Sequence, residues 1–153
     1  MQNGIHNRRG AETRSFNKLS GRIIGSCTEI HRALGPGLLE SAHEECLGHD
    51  LSLAGISFER QKSLPVAYKD VKLDCGYRMD VAVENKIMVE LKSVGGLLPL
   101  HEAQLLACLK LSGLELGLLI NFKVTLLKHG IKRMVNNFID SASPRLSGEI
   151  QFG

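Results

Sequence analysis

The sequence lacks the features that define several large classes of protein. Its four cysteines, Cys27, Cys46, Cys75 and Cys108, form no C-x-x-C pair, which excludes a zinc ribbon and a thioredoxin-like motif. No apolar stretch is long enough to span a bilayer, and the N-terminal residues lack the apolar run of a secretory signal. We therefore expect a cytoplasmic protein with reduced thiols and no membrane association.

Nucleotide-binding and zinc-protease motifs are also missing. The glycines of Gly35-Pro36-Gly37 and Gly95-Gly96 are not followed by the Lys-Ser/Thr of a P-loop and do not fit G-x-G-x-x-G, so we interpret them as turns. His43 and Glu44 begin like the zinc motif H-E-x-x-H, but Leu47 stands at the second histidine position. These absences leave other kinds of chemistry to consider.

The composition is that of a globular protein. The 153 residues suffice for one domain, and 43% hydrophobic with 23% charged residues is close to the average for such domains. The net charge of +3 is compatible with a nucleic-acid partner but does not require one. Cations cluster in the middle third, either near a functional site or on a solvated sheet face, at Arg60, Lys62, Lys69, Lys72, Arg78, Lys86 and Lys92.

Hydrophobic periodicity divides the chain into three parts. Residues 1–19 are polar without a hydrophobic period and are predicted to be a flexible leader, 20–140 form the single domain, and 141–153, rich in Ser and Gly, form a loosely ordered tail. Within the domain the order α, α, β, β, β, α, β, α predicts a mixed α/β fold with four strands. The predicted helices are 20–34, 38–54, 99–111 and 128–138, and the strands are 56–68, 71–83, 86–94 and 116–122.

Two neighbouring strands of this prediction place acidic residues opposite each other. A tight turn at Glu84-Asn85 pairs the strands and puts Asp80 almost opposite Glu90, with Lys92 beside Glu90 on the same face. Side chains alternate between two faces along the strand predicted at 71–83 and into the turn. Arg78, Asp80, Ala82 and Glu84 lie on one face, and Met79, Val81 and Val83 lie on the other.

Such a group of charges suits a metal. Two adjacent carboxylates repel and raise at least one pKa unless a cation lies between them, and Mg²⁺ prefers oxygen ligands. A bound metal would polarise a phosphate and activate water, while Lys92 would position the nucleophile or stabilise the transition state. A metal-free ion-pair cluster explains the same residues and stays open at this point.

Six runs of the chain are motifs that occur together, in the same order, in one known family. In chain order, the runs are Gly37-Leu38-Leu39-Glu40-Ser41-Ala42-His43, Gly76-Tyr77-Arg78-Met79-Asp80, Val89-Glu90-Leu91-Lys92, His101-Glu102-Ala103-Gln104-Leu105-Leu106, Gly117-Leu118-Leu119-Ile120-Asn121-Phe122 and Gly130-Ile131-Lys132-Arg133. Over roughly residues 23–136 the chain therefore closely resembles the GxxExxY protein family, which is placed in the PD-(D/E)XK nuclease superfamily.

The resemblance implies a restriction-endonuclease-like core, in which a central mixed sheet is flanked by helices. Asp80, Glu90 and Lys92 would be the D…E-x-K signature, and Glu40 would be a further acid near the metal. The chain departs from the family pattern at three positions: His43 and Cys108 stand where the family has tyrosines, and Met79 stands where the superfamily name has proline.

These arguments together predict a nuclease that depends on Mg²⁺ or Mn²⁺. Glu40, Asp80 and Glu90 would bind the metal and Lys92 would be the catalytic cation. We expect nucleic acid as the partner, DNA rather than RNA, with a homodimer left open. Arg78, Gln104 and His43 are the candidate substrate contacts, although Gln104 would suit a helix surface equally well, and a single histidine on a helix is more often a core-edge or surface residue.

Two alternatives to a nuclease remain from the sequence. The chain could be a catalytically inactive module that keeps the fold and binds nucleic acid or a protein partner. Alternatively, the acidic residues and Lys92 could form an ion-pair network at a homo-oligomer interface, in which case chelators would leave thermal stability unchanged.

Overall fold

Three α-helices and six β-strands make up the secondary structure in a computed structural model, which describes residues 3–137 and 151–152. The central part follows the predicted order, with the β-hairpin turning at Glu84 and Asn85, both at positive φ. The elements are α1 (Asn3–Leu34), α2 (Glu40–Leu53), β1 (Phe58–Tyr68), β2 (Val71–Val83), β3 (Ile87–Lys92), α3 (Pro99–Ser112), β4 (Leu116–Asn121), a 3₁₀ turn (Leu127–Gly130), β5 (Ile131–Val135) and β6 (Gln151–Phe152).

The strands form one mixed sheet in the order β5-β4-β3-β2-β1-β6. The first three strands are an antiparallel meander, and β4 then lies parallel to β3 after the crossover through α3, as predicted. The sheet is larger than the predicted four strands because β5 pairs antiparallel with β4, and β6 pairs parallel with β1. The α/β class and the restriction-endonuclease-like architecture are confirmed.

Helices cover both faces of the sheet, so its centre is buried on two sides. On one face α1 and α2 pack against a core that includes Val81, Val89 and Leu118. On the other face α3 packs against a second core that includes Met88 and Leu119. Every residue of β4 is buried, which fits its continuous apolar sequence.

A change of face in β1 and β2 overturns one part of the predicted alternation. Met79 belongs to the core under α3, whereas Val81 belongs to the core under α1 and α2. The two strands pair at Arg60 with Val81 and at Lys62 with Met79, and Gln61, between them, has a φ of 52°. This local kink interrupts the two-residue period, so Met79 and Val81 do not share a face as the sequence pattern predicted.

The two ends of the described domain also differ from the prediction. The first helix begins at Asn3 rather than at Ser20, and it therefore includes most of the predicted leader. Phe16 and Leu19 pack partly against the core, and Arg133 donates a hydrogen bond to Asn17, so this helix is tied to the sheet. The physical reason is tertiary contact, which local hydrophobic period does not report.

The helix predicted at 128–138 is wrong. The chain there makes the 3₁₀ turn and then β5, which pairs with the edge of β4. Because β4 is buried, its free backbone groups need a partner strand. Of the predicted tail, 138–150 lies outside the described residues, while β6 reaches Ala67 and Tyr68 of β1. No helix in the described part of the chain is long and apolar enough to cross a membrane.

Candidate metal centre

The candidate site lies where β2 separates from β3. Backbone pairing between these strands runs from Val83–Ile87 to Val81–Val89 and then stops. At the next position the Leu91 N–H donates to Asp80 Oδ2 at 2.9 Å. The Asp80 carboxylate thus accepts the hydrogen bond that a backbone carbonyl of β2 would otherwise accept. Asp80 lies at the end of the backbone pairing between β2 and β3.

Glu90 continues the register opposite Asp80, as the turn predicted. It is half-buried, and its Oε2 has no hydrogen-bond partner among the residues that the structure describes. Burial, and secondly the charge of Asp80, raise the pKa of Glu90 to about 7. Burial also raises the pKa of Asp80, against the opposing effect of the Leu91 hydrogen bond. Two half-buried acids therefore share a site in which the nearby positive charge does not compensate for their burial.

Lys92 and Glu40 complete the group of four predicted residues. The charge of Lys92 lowers the pKa of both Asp80 and Glu90, although less than burial raises them, so its ammonium lies near the pair. Glu40 begins α2, and its Oε1 accepts a hydrogen bond from Ser93 N–H at 3.1 Å. The structure thus brings the predicted acids and lysine to one end of β3.

The donor set suits a hard divalent cation. Three carboxylates converge on this sheet end, and one buried oxygen of Glu90 is free of hydrogen bonds within the described chain. As the side chains stand, however, no group of three or more His, Cys, Asp or Glu residues in the described chain is already arranged to hold a metal ion. The residue types fit a metal, while the acids are still occupied by backbone N–H groups of Leu91 and Ser93.

His43 does not occupy the surface position expected of a substrate contact. Its side chain is completely buried and stacks on Phe122, with ring centroids 3.8 Å apart and an interplanar angle of 5°. Burial, and secondly the charge of His31, lower the pKa of His43, so the ring is held neutral. The prediction of a phosphate contact is corrected: His43 is a packing residue one helical turn after Glu40, because the helix directs it towards β4.

Arg78 and Gln104, the other two candidate substrate contacts, are both exposed. Arg78 lies two residues before Asp80 in β2. Gln104 lies one turn before Cys108 in α3, and burial followed by the charges of Glu90 and Asp80 raises the pKa of that thiol to about 11. The role of Arg78 and Gln104 as substrate contacts stays a prediction.

Glu44 is a residue of this region that the sequence argument overlooked. It is buried, and it accepts hydrogen bonds from Arg60 Nε at 3.0 Å and from Gln61 Nε2 at 3.0 Å. Its charge also contributes to the raised pKa of Asp80. The available signal was its spacing of four from Glu40, which puts both acids on one side of α2.

Asn121 and Phe122 are two further residues that the sequence argument missed. The Asn121 side chain accepts from Val94 N–H at 3.0 Å and donates to Val94 carbonyl oxygen at 2.9 Å. The Phe122 N–H donates to the carbonyl oxygen of Lys92 at 2.8 Å. These bonds fasten the chain after β3 to the end of β4, and they fix the backbone on which Lys92 is carried.

Comparison with known proteins gives one match. A family model described as the PD-(D/E)XK nuclease superfamily matches residues 17–134, which is most of the chain and includes all four residues of the candidate centre. No curated protein matched, and no solved structure matched.

Proposed function

Because the chain belongs to the PD-(D/E)XK nuclease superfamily, we propose that it is a divalent-metal-dependent nuclease that hydrolyses phosphodiester bonds in nucleic acid. The observation that carries the proposal is the half-buried pair of Asp80 and Glu90 beside Lys92, in which Glu90 keeps a buried oxygen without a hydrogen-bond partner in the described residues. A pair of acids with raised pKa at the open end of a sheet is costly for folding alone, and it is useful for binding a cation.

In this proposal Asp80, Glu90 and Glu40 hold the metal, which is Mg²⁺ or Mn²⁺. When bound, the metal supplies positive charge to the scissile phosphate and a water of lowered pKa. Lys92 provides an ammonium beside the reacting phosphate, where it stabilises the negative charge that develops in the transition state. Glu90 must release its proton to bind the cation, so its raised pKa weakens metal binding as the pH falls.

Finer features of the sequence prediction belong to the same proposal. We retain membership of the GxxExxY family, DNA rather than RNA as the substrate, a single domain and a cytoplasmic location with reduced thiols. Arg78 and Gln104 remain the proposed substrate contacts, since both are exposed and Arg78 lies two residues before Asp80 in β2. A homodimer is one assembly that this proposal allows.

A catalytically inactive module that binds nucleic acid or a protein partner is the second candidate. It is favoured by the acids of the centre, which are engaged by backbone N–H groups and do not already surround a common point. The two candidates differ in one property, because only the nuclease turns over substrate.

The decisive experiment is a cleavage assay with the purified protein. Single- and double-stranded DNA and RNA are incubated with Mg²⁺, Mn²⁺ or EDTA, and Lys92→Ala and Glu90→Gln are assayed beside the wild type. Each variant should lower the cleavage rate at least about a hundredfold, as expected when an electrostatic stabiliser or a metal ligand is lost. Lys86→Ala, which changes an exposed cation at the hairpin turn, is the matched control and should cleave normally.

Three results would reject the nuclease. Cleavage that persists in EDTA, or that is unchanged in both site variants, would point to a contaminating enzyme. Metal binding without cleavage of any substrate would select the inactive module.

A further inference from the structure

The outer parts of β1 and β2 form a hairpin that extends past the end of β3, and β6 pairs with the β1 edge of this hairpin at Ala67 and Tyr68. Beyond Val81, β2 has no backbone pairing with β3 within the described chain, and β1 remains its partner as far as the turn between Tyr68 and Val71. The stretch of β2 from Asp80 to Val71 is roughly 30 Å long at the usual rise per residue of a strand. We call residues 62–79 the arm.

One face of the arm is apolar and open. Tyr68 pairs with Val71, Val66 with Leu73, and Leu64 with Tyr77. The register shifts between Leu64 and Val66, but both of these side chains contact the core under α3, so the pairs on either side of the shift lie on the same face. At the base of the arm, Leu64 is buried under α3. Farther out, the two tyrosines are 49% and 44% exposed at positions 68 and 77, and Val71 and Leu73 are exposed as well. The arm therefore leaves an apolar, aromatic strip in solvent.

This strip is continuous with the candidate metal centre. Met79 at the base of the arm lies in the core under α3, as does Met88, which shares a strand face with Glu90. Tyr77 precedes Asp80 by three residues, about 10 Å along the strand. A chain lying along the strip would therefore reach the acids at its inner end.

The arm is also positively charged. Residues 62–78 contain four basic residues and two acidic residues, against a net charge of +3 for the entire chain. At the tip, Lys69 Nζ lies 5.4 Å from the centre of the Tyr68 ring. At the base, Arg78 is exposed between Tyr77 and Asp80. A basic hairpin that carries two exposed tyrosines suits a polymer of bases and phosphates.

We propose that the arm binds single-stranded nucleic acid, with unpaired bases stacked on Tyr68 and Tyr77 and the strand led towards Asp80. A tyrosine ring can stack on a base only when that base is not enclosed in a duplex, which is why the aromatic strip selects single strands. The inference rests on the proposed nuclease function, for which it specifies the class of substrate and the route by which that substrate enters.

Binding is measured by fluorescence anisotropy in EDTA, which prevents cleavage. The probes are a short labelled oligothymidylate, an oligouridylate of equal length and a DNA duplex of equal length. Tyr68→Ala and Tyr77→Ala should each weaken binding to single strands about tenfold, the value of one base–aromatic stack. Tyr68→Phe and Tyr77→Phe should bind within a factor of two of wild type, because they retain the stacking surface.

The control variant is Leu53→Ala, which truncates a more exposed apolar side chain at the end of α2, away from the arm. It should bind like the wild type. The DNA and RNA probes show which kind of single strand the protein binds more tightly. The tyrosine substitutions should change the affinity for the duplex least. Melting temperatures of all variants verify that the fold is kept, as expected for half-exposed positions.

Three results would overturn the inference. The tyrosine variants could bind single strands normally, Leu53→Ala could weaken binding as much as they do, or the tyrosine variants could instead dissociate a dimer in sedimentation velocity, which would make the strip a contact with a second copy. Cleavage is scored separately in Mg²⁺. Normal cleavage with tyrosine-independent binding rejects the arm alone, whereas tyrosine-dependent binding without cleavage rejects the nuclease alone.

Discussion

Glu90 shows at the residue scale how the site opposes folding. Its carboxyl group is half-buried beside Asp80, with one oxygen lacking a partner in the described chain, and its pKa is raised to about 7. In the unfolded chain the same group has its ordinary pKa near 4.5. Between these two values the folded protein holds more protons than the unfolded protein, so the free energy of unfolding falls as the pH rises.

This difference gives a pH prediction for the metal-free protein. Glu90→Gln should leave stability unchanged below pH 4.5 and should increase it progressively up to pH 7, because the amide avoids burying a charge. The shift corresponds to a gain on the order of 3 kcal/mol above pH 7. Urea unfolding of both proteins in EDTA across this range measures it. A constant difference between the two proteins at all pH values would contradict the prediction.

At this scale the sequence predicted the positions that depend on strand register, but not those that depend on packing between distant parts of the chain. The turn at Glu84 and Asn85 fixes a register, so the facing of Asp80 and Glu90 followed from counting residues. The burial of His43 did not follow, because its partner Phe122 is distant in sequence and becomes a neighbour only through the parallel pairing of β4. Contacts of that kind have no local signal.

At the scale of elements, the same contrast separates β4 from β5. The uninterrupted apolar run of β4 indicated a buried strand, whereas the short mixed segment after it has no clear period and was wrongly predicted as helix. What selects a strand there is the edge of β4 and the tight turn before it. In the same way, the part of α1 that precedes Ser20 includes Phe16, which contacts the core, and Asn17, which binds Arg133 of β5, and a local hydrophobic period does not report either contact.

Gly130 tests whether that turn determines the strand. A Cβ atom at this position would overlap the backbone carbonyl oxygen of Asn121, which cannot move without disturbing the end of β4. Gly130→Ala should therefore destabilise the protein by at least about 2 kcal/mol, as expected for strain at a tightly packed backbone. Thermal or urea unfolding provides the measurement.

The matched control is Gly25→Ala in α1, where a Cβ would have no neighbour within 4 Å. That substitution should stabilise the protein by about 0.5–1 kcal/mol, because alanine favours the helix over glycine. If both substitutions changed stability equally, the close approach at Gly130 would not matter to the fold.

At the scale of the whole molecule, helices cover both faces of the sheet, and the acidic residues lie where the pairing of β2 with β3 ends. Helices bury both faces of the sheet around β3 and β4. Holding Glu40, Asp80 and Glu90 together lowers the free energy of unfolding, and the packing of the two cores offsets this loss. A bound cation would reduce the repulsion between the three carboxylates. Metal binding should consequently appear as a change in global stability.

We expect Mg²⁺ or Mn²⁺ to raise the melting temperature at pH 8, where Glu90 is ionised. At a metal concentration a hundred times the dissociation constant, the gain is about 2.7 kcal/mol, or about 5–10 °C for a chain of this size. Differential scanning fluorimetry with metal and with EDTA measures it. Asp80→Asn should abolish the shift, while Lys86→Ala should retain it. Equal melting temperatures in metal and EDTA for the wild type would favour the metal-free ion-pair cluster.

The bond from the Leu91 amide to Asp80 gives the protein an internal reporter. This N–H has a carboxylate as its acceptor at 2.9 Å, in place of a carbonyl from the neighbouring strand. Whatever draws the carboxylate away changes the electronic environment of a single amide at the end of the sheet. In a ¹⁵N spectrum, the chemical shift of Leu91 should therefore follow occupancy of the centre directly, without substrate and without turnover.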